Sequence, residues 1–253
     1  LAATGQAALH AGFEPMPEGF LPTPINDVDS LRALFDTMGG SICAVMLECI
    51  QGESGVHVCS REFLQEVRRL CTDNGALMIC DEVQCGVFRT GKPFGFQNFG
   101  VLPDVVTVAK GIASGMPAGA CCAVGEVADV MAPGKHGSTF GGSNLAVAAA
   151  LATLDELSKP EYAQSIQEVG AYLRDRLAAT PGVGAVRGLG LMVGVDLDEG
   201  LDARAAVKAA LDEGLVINAP GPRTLRFLPP LVCSKYDVDV FIEKLTATLN
   251  RIK

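Results

Sequence analysis

Positive charge is scarce in this sequence and nowhere clustered. Lys and Arg number 20 against 29 Asp and Glu, a net charge of −9, and no basic run occurs. Nucleic acids and anionic membranes are gripped by clustered Lys and Arg, so both drop out as partners. Long apolar runs are also missing. The longest, Leu145–Leu154, is about ten residues, half of the roughly 20 that a membrane-spanning helix needs. The nine cysteines include no CxxC pair, and His10, His57 and His136 stand far apart, so no zinc-type spacing exists and no metal is expected. Seven cysteines (Cys43, Cys49, Cys59, Cys71, Cys80, Cys121 and Cys122) fall in apolar segments or on their edges, where Cys acts as a small hydrophobe. The chain opens LAATGQAALH, with no Met, charged n-region or apolar h-region. That opening reads as a cut through a longer protein, and the odd cysteine count with the acidic balance predicts a reducing cytoplasm.

What is present is apolar material: 49% of 253 residues are hydrophobic and 19% are charged. This is too apolar for disorder and enough to core one large domain or two modest ones. Residues 1–30 are rich in Pro and Gly (EPMPEGFLPTP) and read as a connecting loop. Ser41–Cys49 is a short continuous apolar run, the pattern of a strand buried on both faces of a parallel sheet. Ser60 then caps a predicted helix, REFLQEVRRLCTDN, with Phe63, Leu64, Val67 and Leu70 at helical spacing and Gly75 as its stop. Strands follow at Ala76–Cys80, Val105–Ala109 and Gly119–Val124. Alternating buried strands and amphipathic helices predict an α/β fold with a parallel sheet. Asn144–Ser158 and Pro160–Ala179 read as long Ala/Leu-rich helices. Beyond Pro181-Gly182 come a strand (Gly190–Leu197), a helix (Leu201–Glu213), short strands at Leu215–Asn218 and Thr224–Leu228, and a helix from Asp237. A boundary near Lys159 is expected, with a smaller α+β domain after it.

Ligands of open α/β sheets bind beyond the carboxyl ends of the strands. Glu48, Asp81 and Lys110 fall there, and the last two close apolar strands abruptly. Each alone is compatible with a solvated loop start. A carboxylate and a lysine on two strand ends of one sheet suggest chemistry: a lysine amine condenses with an aldehyde, and a carboxylate keeps a pyridine ring protonated, the two requirements of pyridoxal phosphate. GSTFGGSN (Gly137–Asn144), ahead of the Ala-rich helix, reads either as an anion site of hydroxyls and helix N–H groups or as an ordinary capped loop. Arg226, in TLRFLPPL, suits a carboxylate bidentately if it points inward, and is an edge-strand residue in water if it does not. Glu53, in IQGESG, carries no signal by itself.

Taken in order, ECIQGESG, DEVQCGVFRTGK, PDVVTVAKGIASGMPAGA, HGSTFGG and LRFLPPL resemble the class III pyridoxal-phosphate-dependent aminotransferases, as does the 29-residue interval from Asp81 to Lys110. The resemblance runs over essentially the whole chain. It implies an enzyme of the fold type I class: α/β, a mostly parallel sheet with helices on both faces, and a smaller C-terminal α+β domain. Residues 1–159 would be the C-terminal part of the large cofactor-binding domain, its upstream part missing, and 160–253 the small domain. Among the branches of the family, LAATGQ and GFEPMPEGF look most like the arginine-biosynthetic one, which moves an amino group from N-acetylornithine to 2-oxoglutarate. Branches acting on ornithine, 4-aminobutyrate or succinyldiaminopimelate share these motifs, and a dimerising but catalytically incompetent fragment is the non-enzymatic alternative.

The resemblance also implies roles. Lys110 would hold the cofactor as a Schiff base and shuttle the substrate proton. Asp81 would pair with the pyridinium nitrogen, Val83 pack on the ring, and Gln84 bond its phenolic oxygen. Ser138 and Thr139 would reach the phosphate from the neighbouring subunit of a homodimer. Arg226 would bind the glutamate α-carboxylate, and Glu53 would pair with Arg226 when that carboxylate is absent. A phosphate loop, a stacking aromatic and an arginine for the donor's carboxylate would lie before Leu1. The sequence departs from the family pattern at Cys49 (usually Pro), Cys85 (usually Thr), Phe88 (usually Gly) and Ser143-Asn144 (usually Asn-Pro), which bears on loop shape and specificity.

Overall fold

The structure is a computed structural model that describes all 253 residues. Residues 1–27 carry only one short 3₁₀ turn, at Ala7–Leu9. The first half then runs α1 (Val28–Met38), β1 (Ala44–Leu47), β2 (Ile50–Gln51), β3 (His57–Val58), α2 (Arg61–Asn74), β4 (Leu77–Asp81), β5 (Val105–Val108), β6 (Ala120–Ala123), α3 (Glu126–Val130) and α4 (Asn144–Leu157). The second half is α5 (Pro160–Ala178), β7 (Val183–Leu189), β8 (Met192–Leu197), α6 (Ala203–Asp212), β9 (Thr224–Phe227) and α7 (Lys235–Arg251). No helix is long and apolar enough to cross a membrane.

The first sheet has the order β1-β4-β5-β6, with β1, β4 and β5 parallel and β6 antiparallel at the edge. Leu47 is opposite Cys80 and Asp81 is opposite Thr107, so the three parallel strands end along one rim. The helix α2 forms for the reasons its sequence carries. The Ser60 side chain accepts from the Phe63 N–H at 3.0 Å, and the buried face is Phe63, Leu64, Val67, Leu70 and Cys71. Beyond Gly75 the Ala76 N–H closes on the Cys71 carbonyl at 2.9 Å. Glu66, on the same helix, is gripped by Arg69 and by Arg32 of α1, which holds its carboxyl down at about 2. A core of Leu31, Phe35, Leu64, Met78, Val106 and neighbours fills the space between these elements.

The second sheet, β7-β8-β9, is antiparallel throughout. Its core joins Ile166, Leu173 and Leu177 of α5 to Val193, Leu225 and Leu245, and it also takes in Val87, Phe88 and Val108. The chain between β4 and β5 therefore packs against the second sheet.

Several sequence expectations change. Helix α1 occupies the end of the segment read as loop and continues beyond it, capped by Asp27, whose carboxylate accepts from the Ser30 N–H at 2.9 Å. Strand β7 was not foreseen. Leu215–Asn218 is not a strand; only an isolated bridge joins Asn218 to Arg226. Helix α7 starts at Lys235, two residues early, because Ser234 and Asp237 form a reciprocal cap. Cys43, Cys121 and Cys122 are exposed rather than packed; the last two point to opposite faces of β6, so neither face of that strand is covered there.

Candidate active site

The rim of the first sheet gathers Glu48 after β1, Asp81 at the end of β4 and Lys110 just beyond β5. Asp81 is half-buried, and one of its oxygens accepts from the Val83 N–H at 2.9 Å. Lys110 opens a 3₁₀ turn, Lys110–Ala113, with φ of 49°. A left-handed backbone at a lysine is held only where its surroundings over-determine it, and such positions cluster at functional sites. Helix α4 packs on that turn. The Lys110 amine is exposed and bound to no side chain, so it and Asp81 are neighbours without being an ion pair. Glu48 accepts from the Gly52 N–H at 3.0 Å. Burial pushes its carboxyl up, the Gly52 contact opposes this, Asp81 adds to it, and Lys110 pulls it back down.

The Asp81 end is braced from below. Glu82 is fully buried and accepts from the N–H groups of Gly95 at 2.7 Å and Phe96 at 2.9 Å, and from the Cys85 thiol at 3.2 Å. Burial raises its carboxyl, and those bonds partly restore it. Cys85, where the family usually has Thr, thus still donates a hydrogen bond. Cys49 touches the Cys80 thiol at 3.7 Å in a fully buried site, and this contact, together with burial, drives its own thiol far up and keeps it protonated. Phe88 sits at φ of 62°, next to Val87 at 52°, a backbone that favours the family's glycine. Its buried ring offsets the strain by joining the second core.

A second cluster lies where the two sheets meet. Hairpin β2–β3 carries Glu53 on its turn. Glu53 accepts from Arg226 Nη1 at 2.8 Å and from Gln84 Nε2 at 3.0 Å, and Arg226 also donates to Gln84 Oε1 at 3.3 Å. Arg226 is 10% exposed and Glu53 60%, so the arginine points inward and only its partner meets water. The Arg226 bond, with help from Gln84, holds the Glu53 carboxyl below its ordinary range against mild burial. Gly52 makes the closure possible, since a Cβ there would lie 1.8 Å from Gln84 Oε1. Arg226 Nε is buried without a partner. Arg89 fastens the loop after Asp81 to this region, donating to the Leu191 carbonyl at 3.1 Å and the Pro229 carbonyl at 2.5 Å. Without a carboxylate partner, its guanidinium is pulled by burial to about 10.

The structure brings Asp81, Val83 and Gln84 onto one loop beside Lys110, and it joins Gln84 to Glu53 and Arg226. Ser138 and Thr139 are exposed on the turn before α4 and bond none of these residues within the chain. Ser143, at the N-cap position, makes no side-chain cap, which leaves the first-turn N–H groups of α4 free. A cavity of about 640 Å³ lies among Ile217, Pro229, Val232 and Phe241 and shares only Arg226 with the site. No cluster of side chains suits a metal ion. Sequence reasoning missed Glu82, Arg89, Arg187 and Asp196. Arg89 bonds carbonyls 102 and 140 residues away, and Glu82, Arg187 and Asp196 gain their hydrogen bonds only through the folded loops and strand pairing, so no motif marks them.

A family model for class-III aminotransferases matches residues 1–249. An acetylornithine aminotransferase of Caldanaerobacter subterraneus subsp. tengcongensis is 42% identical over 257 positions, covering 100% of this chain and 64% of the relative. One from Bacillus subtilis is 42% identical over 248 positions, with 97% and 63% covered. Among solved structures, an ornithine aminotransferase of Toxoplasma gondii with PLP at partial occupancy in its active site superposes with a TM-score of 0.90. It is 30% identical, and the match covers 99% of this chain and 60% of that one. An acetylornithine aminotransferase of Elizabethkingia anophelis gives 0.84 at 31% identity, over 92% of this chain and 60% of that one. The chain spans 64% of the length of the first of these curated relatives.

Proposed function

Because the chain belongs to the class III aminotransferases, we propose that the full-length protein transfers the δ-amino group of N-acetylornithine to 2-oxoglutarate, yielding the semialdehyde and glutamate. The observation that carries this reading is the pairing of two sites: Lys110 and Asp81 on neighbouring strand ends, and a buried Arg226 closed by Glu53. Relatives named acetylornithine aminotransferase at 42% identity support the donor.

Pyridoxal phosphate is the family's cofactor, and the residues present fit it. An unpaired lysine amine, a half-buried carboxylate one strand away, and a free helix N-terminus with Ser138 and Thr139 before it are the donor set such a group requires. When bound, it supplies an aldehyde carbon for amines and a cationic ring that acidifies the substrate's C–H. Lys110 would hold the aldehyde carbon, and its free amine would carry the proton between the substrate carbon and that same aldehyde carbon. Asp81 would keep a proton on the pyridine nitrogen, Val83 would cover the ring, and Gln84 would donate to its phenolic oxygen. Ser138 and Thr139 would serve the phosphate in the neighbouring subunit of a homodimer. Arg226 would take the α-carboxylate of glutamate or 2-oxoglutarate after Glu53 swings away. With a donor that has no carboxylate at that end, Glu53 would stay and neutralise the arginine. Residues 1–159 and 160–253 would be the large-domain part and the small domain, in a cytoplasmic enzyme.

The test is a donor panel on the full-length protein with 2-oxoglutarate, following glutamate. We expect the highest kcat/KM with N-acetylornithine. A preference for ornithine, 4-aminobutyrate or succinyldiaminopimelate would replace the substrate, and no glutamate from any donor would refute the reaction.

A further inference from the structure

The Glu53–Arg226 pair is mounted on a platform built by Arg187 of β7 and Asp196 of β8. Arg187, on β7, donates from Nε to the Gly55 carbonyl at 2.8 Å, two residues beyond Glu53. Its other two nitrogens grip Asp196 of β8 bidentately, at 2.7 and 3.0 Å, and the Thr224 hydroxyl of β9 donates to the same carboxylate at 2.8 Å. Arg187 is what chiefly holds the Asp196 carboxyl below its ordinary range, so the grip is ionic. Arg187, Gly194 and Arg226 stand opposite one another across the three strands. The gap at Gly194 admits the hairpin: a Cβ there would lie 2.6 Å from the Gly55 carbonyl oxygen and 2.9 Å from Val56 Cβ. Val56 itself is fully buried at φ of 62°, a left-handed backbone that a β-branched residue adopts only under outside restraint.

The hairpin backbone next to Glu53 is thus clamped, while the Glu53 side chain itself is mostly exposed and held only by its bonds to Arg226 and Gln84. We propose that Arg187, seated on Asp196 and Thr224, is a positioning residue that sets how firmly Glu53 closes Arg226, and thereby how the pocket divides its affinity between carboxylate-bearing and carboxylate-free ligands. The inference rests on the reading of Arg226 as the carboxylate site. Its physical basis is competition: Glu53 and a ligand carboxylate bind one guanidinium, so whatever loosens the Glu53 turn frees Arg226 for the ligand.

The probe is glutarate, a five-carbon dicarboxylate that cannot undergo amino transfer, titrated by calorimetry onto the full-length holoenzyme. Glu53→Gln is the reference and should tighten glutarate by about fivefold, as expected for losing a partly exposed charge pair. Arg187→Lys keeps the positive charge but cannot span both Asp196 and Gly55. It should tighten glutarate by about two- to threefold in the wild-type background and have no effect in the Glu53→Gln background. A variant that merely damaged the fold would weaken binding in both. Thr224→Val, nearly isosteric and uncharged, should act in the same direction more weakly, and it decides the matter if Arg187→Lys does not fold. If Glu53→Gln tightens glutarate while Arg187→Lys and Thr224→Val leave it unchanged, or shift it equally in both backgrounds, the role of Arg187 is overturned and the carboxylate site stands. If Glu53→Gln itself has no effect, the carboxylate reading fails and the inference falls with it.

Discussion

Asp81 and Lys110 were legible in the sequence because each closes an apolar strand abruptly, and a polar residue at that point falls at the rim where α/β sheets bind ligands. The Asp81 carboxylate is kept in place by the Val83 N–H on one oxygen, leaving the other free. Asp81→Asn should preserve that shape, because an amide oxygen also accepts from Val83, but it cannot hold a proton on a pyridine nitrogen. The full-length variant should keep its cofactor and lose turnover on the order of a thousandfold, a loss of about 4 kcal/mol of transition-state stabilisation. Stopped-flow spectra of the glutamate half-reaction measure this, and a rate within tenfold of wild type would remove Asp81 from the role. Arg226 was half legible: its type suits a carboxylate, but whether it points inward depends on Glu53, 173 residues away. Phe88 was visible only as a departure from a family pattern. Its φ of 62° gives the reason that the position favours glycine.

At the scale of elements, strands and helices with one strong local signal were read correctly. Helix α2 has a cap, a periodic apolar face and a stop, and β4 and β5 are continuous apolar runs. Strand β7 failed to announce itself because VGAVRGL carries two glycines and an arginine. It is a strand only because β8 pairs with it, a case of tertiary pairing overriding weak propensity. Helix α1 was obscured by the Pro-rich stretch before it, although Asp27 was there as a cap. Hairpin β2–β3 is shorter than any periodicity can reveal, and it is the element that carries Glu53 to Arg226. That dependence predicts the effect of Gly194→Ala. The added Cβ would meet backbone at 2.6 Å, so the hairpin must lift from β8. We expect a cost of about 1–3 kcal/mol in stability, read from denaturant unfolding, and a crystal structure in which Glu53 no longer reaches Arg226. An unaltered hairpin at unchanged stability would show that the close approach at Gly194 does not position it.

For the whole molecule, the site is distributed over both sheets. Lys110 and Asp81 belong to the first, Arg226 to the second, and Arg89 with hairpin β2–β3 ties them together. On the proposed reading amino transfer would need this arrangement, since a covalent centre at Lys110 and a carboxylate grip at Arg226 would have to be held at a fixed separation for one substrate to reach both. The fold class followed from the alternation of strands and helices, but the contact between the sheets could not be read from any segment, because its bonds span 102 to 173 residues. The face of α4 and the turn before it expose Phe140, Leu145 and Leu151 beside Ser138 and Thr139, the apolar surface that the proposed homodimer would cover. Most of the proposed function depends on Lys110 being the residue to which the cofactor would be joined. The direct measurement is to load the full-length protein with pyridoxal phosphate, reduce it with borohydride, digest it and map the pyridoxyl group by mass spectrometry. We expect one modified peptide, carrying the group on Lys110; the group on another lysine, or on none, would remove Lys110 from that role.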